Sequence, residues 1–233
     1  MATATTNSIQ PETLPVRVRI DFVSDVVCPW CIVGLKSLEQ ALAKLDGQVA
    51  ADLHFQPFEL NPQMPPEGED TGEHLRRKYG STDEQMQRNR ENITKRGAAL
   101  GFEFRMDKRD RTWNTFDAHR LLHWAEGEGQ QQALKHALFR AYFTDGENIS
   151  SHDVLVKAAE SAGLSGARAR EVLAGDTYAA EVREQERFFT GNGINAVPAV
   201  IVNEQHLISG GQPPEVFEQA LRQIAGVDRA AGG

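Results

Sequence analysis

The chain has 233 residues, a formal net charge of −8 at pH 7 and 40% hydrophobic residues. This length allows a sizeable hydrophobic core in one large domain or two small ones. The negative charge argues against nucleic acid as the main partner, because phosphate binding needs clustered Lys and Arg. No apolar run approaches the roughly 18–20 residues that cross a bilayer, so no membrane role is expected.

Residues 1–15 lack the basic start and the apolar stretch of a secretory signal peptide. We therefore expect a disordered leader and a cytoplasmic protein. In that compartment disulfides are usually reduced.

The only two cysteines, Cys28 and Cys31, stand in the sequence Cys-Pro-Trp-Cys. A secreted disulfide scaffold would carry several cysteines at wide spacing, and a structural zinc site would need two more Cys or His ligands. No metal is therefore expected. A C-x-x-C pair between a strand and a helix is typical of redox chemistry, with two buried structural cysteines or a partial metal site as the alternatives.

The first sixty residues predict a strand, a helix and a second strand. Residues 16–23 alternate in polarity, as a strand does. Leucines recur at helical spacing from Cys31 to Lys44, and a second alternating run over 52–56 ends at Pro57.

The middle of the chain predicts helices, and its end predicts strands again. A Pro- and Gly-rich connection over 61–72 precedes a very polar stretch, 73–98, that predicts one or two solvated helices. Amphipathic spacing predicts further helices over 115–126, 129–143, 154–158 and 178–189. The final segments are predicted as strands at 199–202 and 207–208 and a helix opened by Pro213 and Pro214.

The position of Cys28 at the start of a helix gives it a chemical role. Unpaired backbone N–H groups and the positive end of the helix dipole favour the thiolate, which is the form that attacks a disulfide. Cys31 lies one helical turn later on the inner side, where it can resolve a mixed disulfide formed at Cys28.

A second feature is Val197-Pro198, directly before the strand predicted at 199–202. A cis bond here would expose the backbone N–H and C=O of Val197 to an extended substrate peptide. Because few X-Pro bonds are cis, composition by itself favours an ordinary trans proline.

Several motifs, in order along the chain, resemble one family. The chain reads DFVSDVVCPWCIVG, PFELNPQMPPEG, NTFDAHRLLHWA, INAVPAVIVN and ISGGQPPEVF. This pattern resembles the DsbA-like branch of the thioredoxin superfamily and, within it, the FrnE-like proteins. The branch includes 2-hydroxychromene-2-carboxylate isomerases and kappa-class glutathione transferases. The resemblance implies an α/β, thioredoxin-like fold from residues 16–60 and 190–226, with an α-helical domain inserted at 61–189.

The resemblance also implies roles for the four residues of the C-x-x-C motif. Cys28 would be the nucleophile and Cys31 the resolving thiol, while Pro29 and Trp30 would tune the redox potential and shape the docking surface. In kappa-type relatives a serine commonly stands at the position of Cys28, so two cysteines favour disulfide chemistry.

Candidate substrate contacts follow from the same resemblance. Pro198 would be a cis-proline facing the dithiol, with Val197 offering backbone contacts to substrate. Asn61 matches a region that helps to bind glutathione in the kappa relatives, although a turn residue before proline is an equal alternative.

Four further residues are candidates in the helical insert and near the C-terminus. Asn114 and His119 share a family motif in which His119 could assist proton transfer, with a structural histidine as the alternative. Gly210 and Gly211 could approach a ligand closely or form the turn into the last helix.

The predicted function is disulfide exchange on protein or small-thiol substrates through a mixed disulfide at Cys28. No bound cofactor is expected, and glutathione is an optional co-substrate. Two alternatives stay open: a glutathione-dependent isomerase or transferase in which Cys31 is incidental, and a non-enzymatic adaptor. The sequence leaves the direction of electron flow and a homodimer open.

Overall fold

The computed structural model describes residues 14–227, so residues 1–13 of the expected leader lie outside the described part. The strands are β1 (Val16–Ser24), β2 (Val49–Pro57), β3 (Glu69–Asp70), β4 (Arg111–Thr112), β5 (Ala199–Val202) and β6 (His206–Ser209). The helices are α1 (Pro29–Lys44), α2 (Thr71–Tyr79), α3 (Asp83–Ala99), α4 (Phe116–Gly127), α5 (Gln131–Arg140), α6 (His152–Ser161), α7 (Gly166–Ala174), α8 (Ala179–Gly191) and α9 (Pro214–Ala225). A π-helical turn, Ala141–Asp145, follows α5.

The main sheet has the strand order β2-β1-β5-β6, and β3 pairs with β4 in a separate two-stranded ladder. β1 runs parallel to β2 and antiparallel to β5, and β6 is the antiparallel edge strand beside β5. The parallel pair needs a crossover, which α1 supplies. The predicted α/β class is confirmed.

The two faces of β1 are buried by different groups of residues. Successive strand residues point to opposite faces, and Phe22 belongs to the main core whereas Val23 packs in a smaller cluster with Phe189 and Ile194. On the main-core side α1 packs against α9. The sheet therefore holds the end of β1, and with it the start of α1, between packed layers.

The polar stretch 73–98 forms two helices that are less solvated than expected. Gly80, with φ of 62°, ends α2, and Thr82 opens α3 with a reciprocal capping box to Gln85. On the inner side of α3, Met86 and Ile93 are buried. Because most residues of this stretch are polar, the short apolar stripe is hard to recognise in the sequence.

Three features of the middle of the chain differ from the sequence prediction. The helix expected over 129–143 is α5 followed by the π-helical turn, and α7 is an additional short helix. The β3–β4 ladder was not expected either, because strands of two residues have no visible periodicity.

The division into a thioredoxin-like domain at 16–60 and 190–226 and an insert at 61–189 stays a prediction. β1, α1, β2, β5, β6 and α9 fall within 16–60 and 190–226, whereas α8 ends one residue past 190. One continuous hydrophobic cluster includes side chains from both segments. Within residues 14–227, no helix combines the length and apolarity needed to cross a membrane.

Candidate active site

The end of β1 and the start of α1 place Cys28 at a helix N-terminus. Cys28 is the N-cap residue, with an extended backbone, and Pro29 opens the helix. Proline suits this position because its missing N–H would have no intrahelical partner there. The first turn of α1 contains no acidic residue, so no carboxylate within that turn offsets the positive end of the helix dipole.

The two thiols differ in their surroundings. Both are free cysteines; Cys28 is 4% exposed and Cys31 is completely buried. Burial, together with the neighbouring sulfur of Cys28, raises the pKa of Cys31 well above its usual value. In the reduced protein Cys31 therefore holds its proton at neutral pH.

The segment before β5 crosses directly over Cys28. The Val197–Pro198 peptide bond is cis, and the Cys28 thiol donates to the carbonyl oxygen of Val197 at 3.7 Å. Gly34 of α1 makes room for the proline, because a Cβ there would lie 3.0 Å from Pro198 Cγ. The backbone N–H of Gly210 donates to the Pro198 carbonyl at 2.8 Å.

Trp30 contacts two residues that are distant from it in the sequence, Arg96 and Gly211. The guanidinium of Arg96, on α3, lies 5.1 Å from the centre of the Trp30 ring and donates to the Gly211 carbonyl at 2.8 Å. A Cβ on Gly211 would lie 2.9 Å from the Trp30 carbonyl oxygen. The lack of a side chain on Gly211 thus allows its close approach to the redox loop, and its approach to a ligand stays a prediction.

Two buried charged residues lie beneath the dithiol, and sequence reasoning missed both. Asp25 is fully buried and accepts from the backbone N–H of Leu60 at 2.7 Å. Lys135 of α5 is also fully buried, and its Nζ has no hydrogen-bond partner among residues 14–227. Burial lowers the pKa of Lys135 to about 8, against the opposing effects of Cys31, Asp25 and Cys28.

A cavity of about 320 Å³ opens beside Cys28, between the start of α1 and helices α2 and α3. Of the predicted residues, Cys28, Pro29, Trp30 and Asn61 line it. The side chain of Asn61 also accepts from Lys78 Nζ at 2.7 Å.

Among the predicted contact residues, Asn114, His119 and Gly210 do not line this cavity. Asn114 is used internally: its amide donates to the Met64 carbonyl and its oxygen accepts from the Phe116 N–H. His119 is only 2% exposed, and its Nε2 lies 3.6 Å from Asp25 Oδ1. Gly210, with φ of 81°, forms the turn after β6.

Substrate contact by these three residues stays a prediction. The buried surroundings of Asn114 and His119 and the turn geometry of Gly210 favour structural or positioning roles. Among residues 14–227, no group of three or more His, Cys, Asp or Glu side chains is arranged to hold a metal ion.

Comparison with known proteins places this arrangement in a family. The family model of the DsbA-like thioredoxin domain matches residues 19–222. A probable DsbA oxidoreductase from Streptomyces coelicolor is 36% identical, with a TM-score of 0.84 over 93% of each chain. The YwbO protein of Bacillus subtilis is 28% identical over 205 residues, which cover 88% of this chain and 96% of YwbO.

A more distant solved structure shares the fold alone. The cytosolic disulfide reductase DsbM from Pseudomonas aeruginosa, solved with GSH, is 18% identical; its TM-score is 0.61, over 90% of this chain and all of that chain. The expected thioredoxin-like fold is confirmed, and the FrnE-like subgroup fits these relatives. The chain belongs to the family of DsbA-like thioredoxin domains.

Proposed function

We propose that the chain is a thiol–disulfide oxidoreductase in which Cys28 attacks and Cys31 resolves. The observation that carries this proposal is the unequal pair of thiols. Cys28 caps a helix and faces a cavity, whereas Cys31 is buried one turn later. Such a pair separates the attacking role from the resolving role.

The first step forms a mixed disulfide. The Cys28 thiolate attacks one sulfur of the substrate disulfide, and the other sulfur leaves as a thiolate that takes up a proton. Trp30 and Asn61 line the space in which the substrate lies. The Val197 carbonyl, beside the reacting sulfur, can accept a hydrogen bond from the substrate backbone or from an amide group.

The second step requires the buried thiol to lose its proton. Cys31 can attack the sulfur of Cys28 only as a thiolate, and burial makes that ionisation costly. The ammonium of Lys135 opposes this cost, since its charge favours the Cys31 thiolate. We assign Lys135 as the buried group that makes proton release from Cys31 possible.

The substrates in this proposal are disulfides of proteins or small thiols, with glutathione as an optional co-substrate. The shared fold with DsbM, whose structure was solved with GSH, supports glutathione in this role. We propose a cytoplasmic location on the same basis, because DsbM is a cytosolic reductase.

The test compares three cysteine variants by trapping and by turnover. Cys31→Ser should accumulate the mixed disulfide at Cys28 and lose multiple turnover, because the resolving step is absent. Cys28→Ser should lose both the trapped species and turnover. The double serine variant is the matched background for non-specific exchange.

Two results would contradict the proposal. Full turnover by Cys31→Ser would indicate a glutathione-dependent isomerase or transferase, in which the second cysteine is incidental. Partner binding that survives in the double variant, together with no exchange by the wild type, would indicate an adaptor.

A further inference from the structure

The cavity beside Cys28 has a charge opposite to that of the whole protein. The chain has a net charge of −8, yet among the described residues no Asp or Glu lines this cavity. Arg90 of α3 and Arg109 do line it. His74 lines it too, but its Nδ1 lies 2.8 Å from Glu69 Oε2, so a carboxylate already faces that ring.

Arg109 is held in a fixed position with part of its guanidinium unused. Its Nε donates to the Tyr142 hydroxyl at 2.9 Å, and the group lies 5.4 Å and 5.3 Å from the ring centres of Tyr142 and Phe143. Within residues 14–227 neither Arg109 nor Arg90 forms an ion pair with a carboxylate. A planar guanidinium in a concave site that has no carboxylate partner and keeps free N–H groups is suited to bind a carboxylate.

A buried hydroxyl in the same cavity also lacks a partner. Thr71 is 2% exposed, and its Oγ1 makes no hydrogen bond within the described part of the chain. Buried polar atoms are nearly always hydrogen-bonded, so this unpaired hydroxyl is an exception in the wall of the cavity. Apolar side chains of Met86, Ile93 and Met106 line other parts of the wall.

The size and depth of the site favour a small substrate. The cavity volume of about 320 Å³ lies within the range of small-molecule pockets, about 300–1,000 Å³. The reacting Cys28 is only 4% exposed, which restricts the approach of a folded protein surface. A compact molecule with an apolar body and an anionic end matches the lining.

We propose that the preferred substrate is a small disulfide bearing a carboxylate, which is bound by Arg90 and Arg109 while its sulfur faces Cys28. This inference rests on the proposed function. The Cys28 thiolate attacks the substrate disulfide, whose S–S bond breaks to release one thiolate. Cys31, after losing its proton, attacks the Cys28 sulfur and releases the second. Two electrons pass from the dithiol to the substrate, and each released thiolate takes up a proton from water.

The experiment uses three symmetrical disulfides of similar length and different charge. Cystamine is cationic, bis(2-hydroxyethyl) disulfide is neutral and 3,3′-dithiodipropionate is anionic. The reduced full-length protein is mixed with each in excess at low ionic strength, and formation of the Cys28–Cys31 disulfide is followed by acid quench and mass spectrometry. Each rate constant is divided by that of the same disulfide with dithiothreitol, because leaving-group pKa changes intrinsic reactivity.

We expect the normalised rate constant of the anionic disulfide to exceed that of the cationic one by about tenfold or more, the scale of one charge-assisted hydrogen bond. Arg90→Gln and Arg109→Gln should each reduce this ratio and leave the neutral disulfide within about twofold of wild type. Arg88→Gln is the matched control, since Arg88 lies on the same helix but is exposed and does not line the cavity.

Equal normalised rate constants for the three disulfides in the wild type would overturn the inference. So would an equal loss for all three disulfides in the Arg90 and Arg109 variants, which would indicate a structural role for these side chains. The wild-type comparison remains decisive even where a variant folds poorly. Failure of all three disulfides to oxidise Cys28 and Cys31 would instead refute the proposed function itself.

Discussion

Replacing Lys135 with Met should stabilise the protein and impair its chemistry. Lys135 is fully buried, and its pKa falls from the usual 10.5 to about 8. At about 1.4 kcal/mol per pKa unit, the buried ammonium costs roughly 3 kcal/mol relative to the unfolded chain. Methionine has a similar length, so Lys135→Met removes this cost without opening a large cavity.

The pH dependence of stability is an independent test of the cost of burying Lys135. Below about pH 8 the lysine is protonated in both states, and the full cost is present. Between about pH 8 and 10.5 the unfolded chain holds the proton and the native protein does not, so the wild-type free energy of unfolding rises with pH. The advantage of Lys135→Met should therefore be largest at pH 7 and shrink through this window.

The effect on exchange should have the opposite direction. Without the buried ammonium, the Cys31 thiolate loses a favourable charge interaction. A loss of about 1.4 kcal/mol would slow the resolving step about tenfold. Urea denaturation of the reduced protein measures the first effect, and single-turnover decay of the mixed disulfide measures the second.

A control variant shows whether these effects require a buried lysine or follow from the loss of any lysine. Lys157 is 72% exposed and pairs with Glu147, so Lys157→Met should change stability by less than about 1 kcal/mol and leave exchange unchanged. The reasoning is refuted if Lys135→Met is strongly destabilised at pH 7, or if its mixed disulfide resolves at the wild-type rate.

Two further predictions concern the packing of α1. Burial alone would raise the pKa of Glu39, but hydrogen bonds, led by that from His136, lower this pKa to about 2. Ionised Glu39 therefore stabilises the fold above pH 4.5, and this contribution disappears as the pH falls toward 2. Glu39→Gln should flatten the acid side of the stability curve, measured as the urea midpoint at each pH; an unchanged slope would contradict this assignment. Gly34→Ala should destabilise the protein by about 1–3 kcal/mol and slow exchange, because the added methyl lies 3.0 Å from Pro198 Cγ. Thermal denaturation and the mixed-disulfide assay check this, and wild-type values in both would show that Pro198 can shift freely.

The features predictable from the sequence are those with a local signal. Alternation marked β1, and the position of Cys28 after that strand indicated a helix start. The family motifs supplied the pairing of Cys28 with the distant Val197–Pro198 segment. By contrast, α7 was overlooked among small and polar residues.

The missed residues depend on contacts between distant segments. Asp25 and Lys135 interact electrostatically because the fold packs α5 against β2 beneath the dithiol. A lysine on the apolar side of α5, next to Leu134, was a signal that could have been noticed. The roles of Arg90 and Arg109 had no such signal, because each looks like an ordinary surface arginine until the fold places them in one cavity.

The contact of Arg96 with Trp30 has a consequence for how relatives of this protein can diverge. Arg96 and Arg90 belong to the same helix, α3, but one contacts the redox loop and the other lines the cavity. A shift of α3 that accommodates a different substrate would also move the cation stacked on Trp30. Substrate selectivity and reduction potential would then change together among homologues. Exchanging α3 between two homologues should therefore transfer both properties at once.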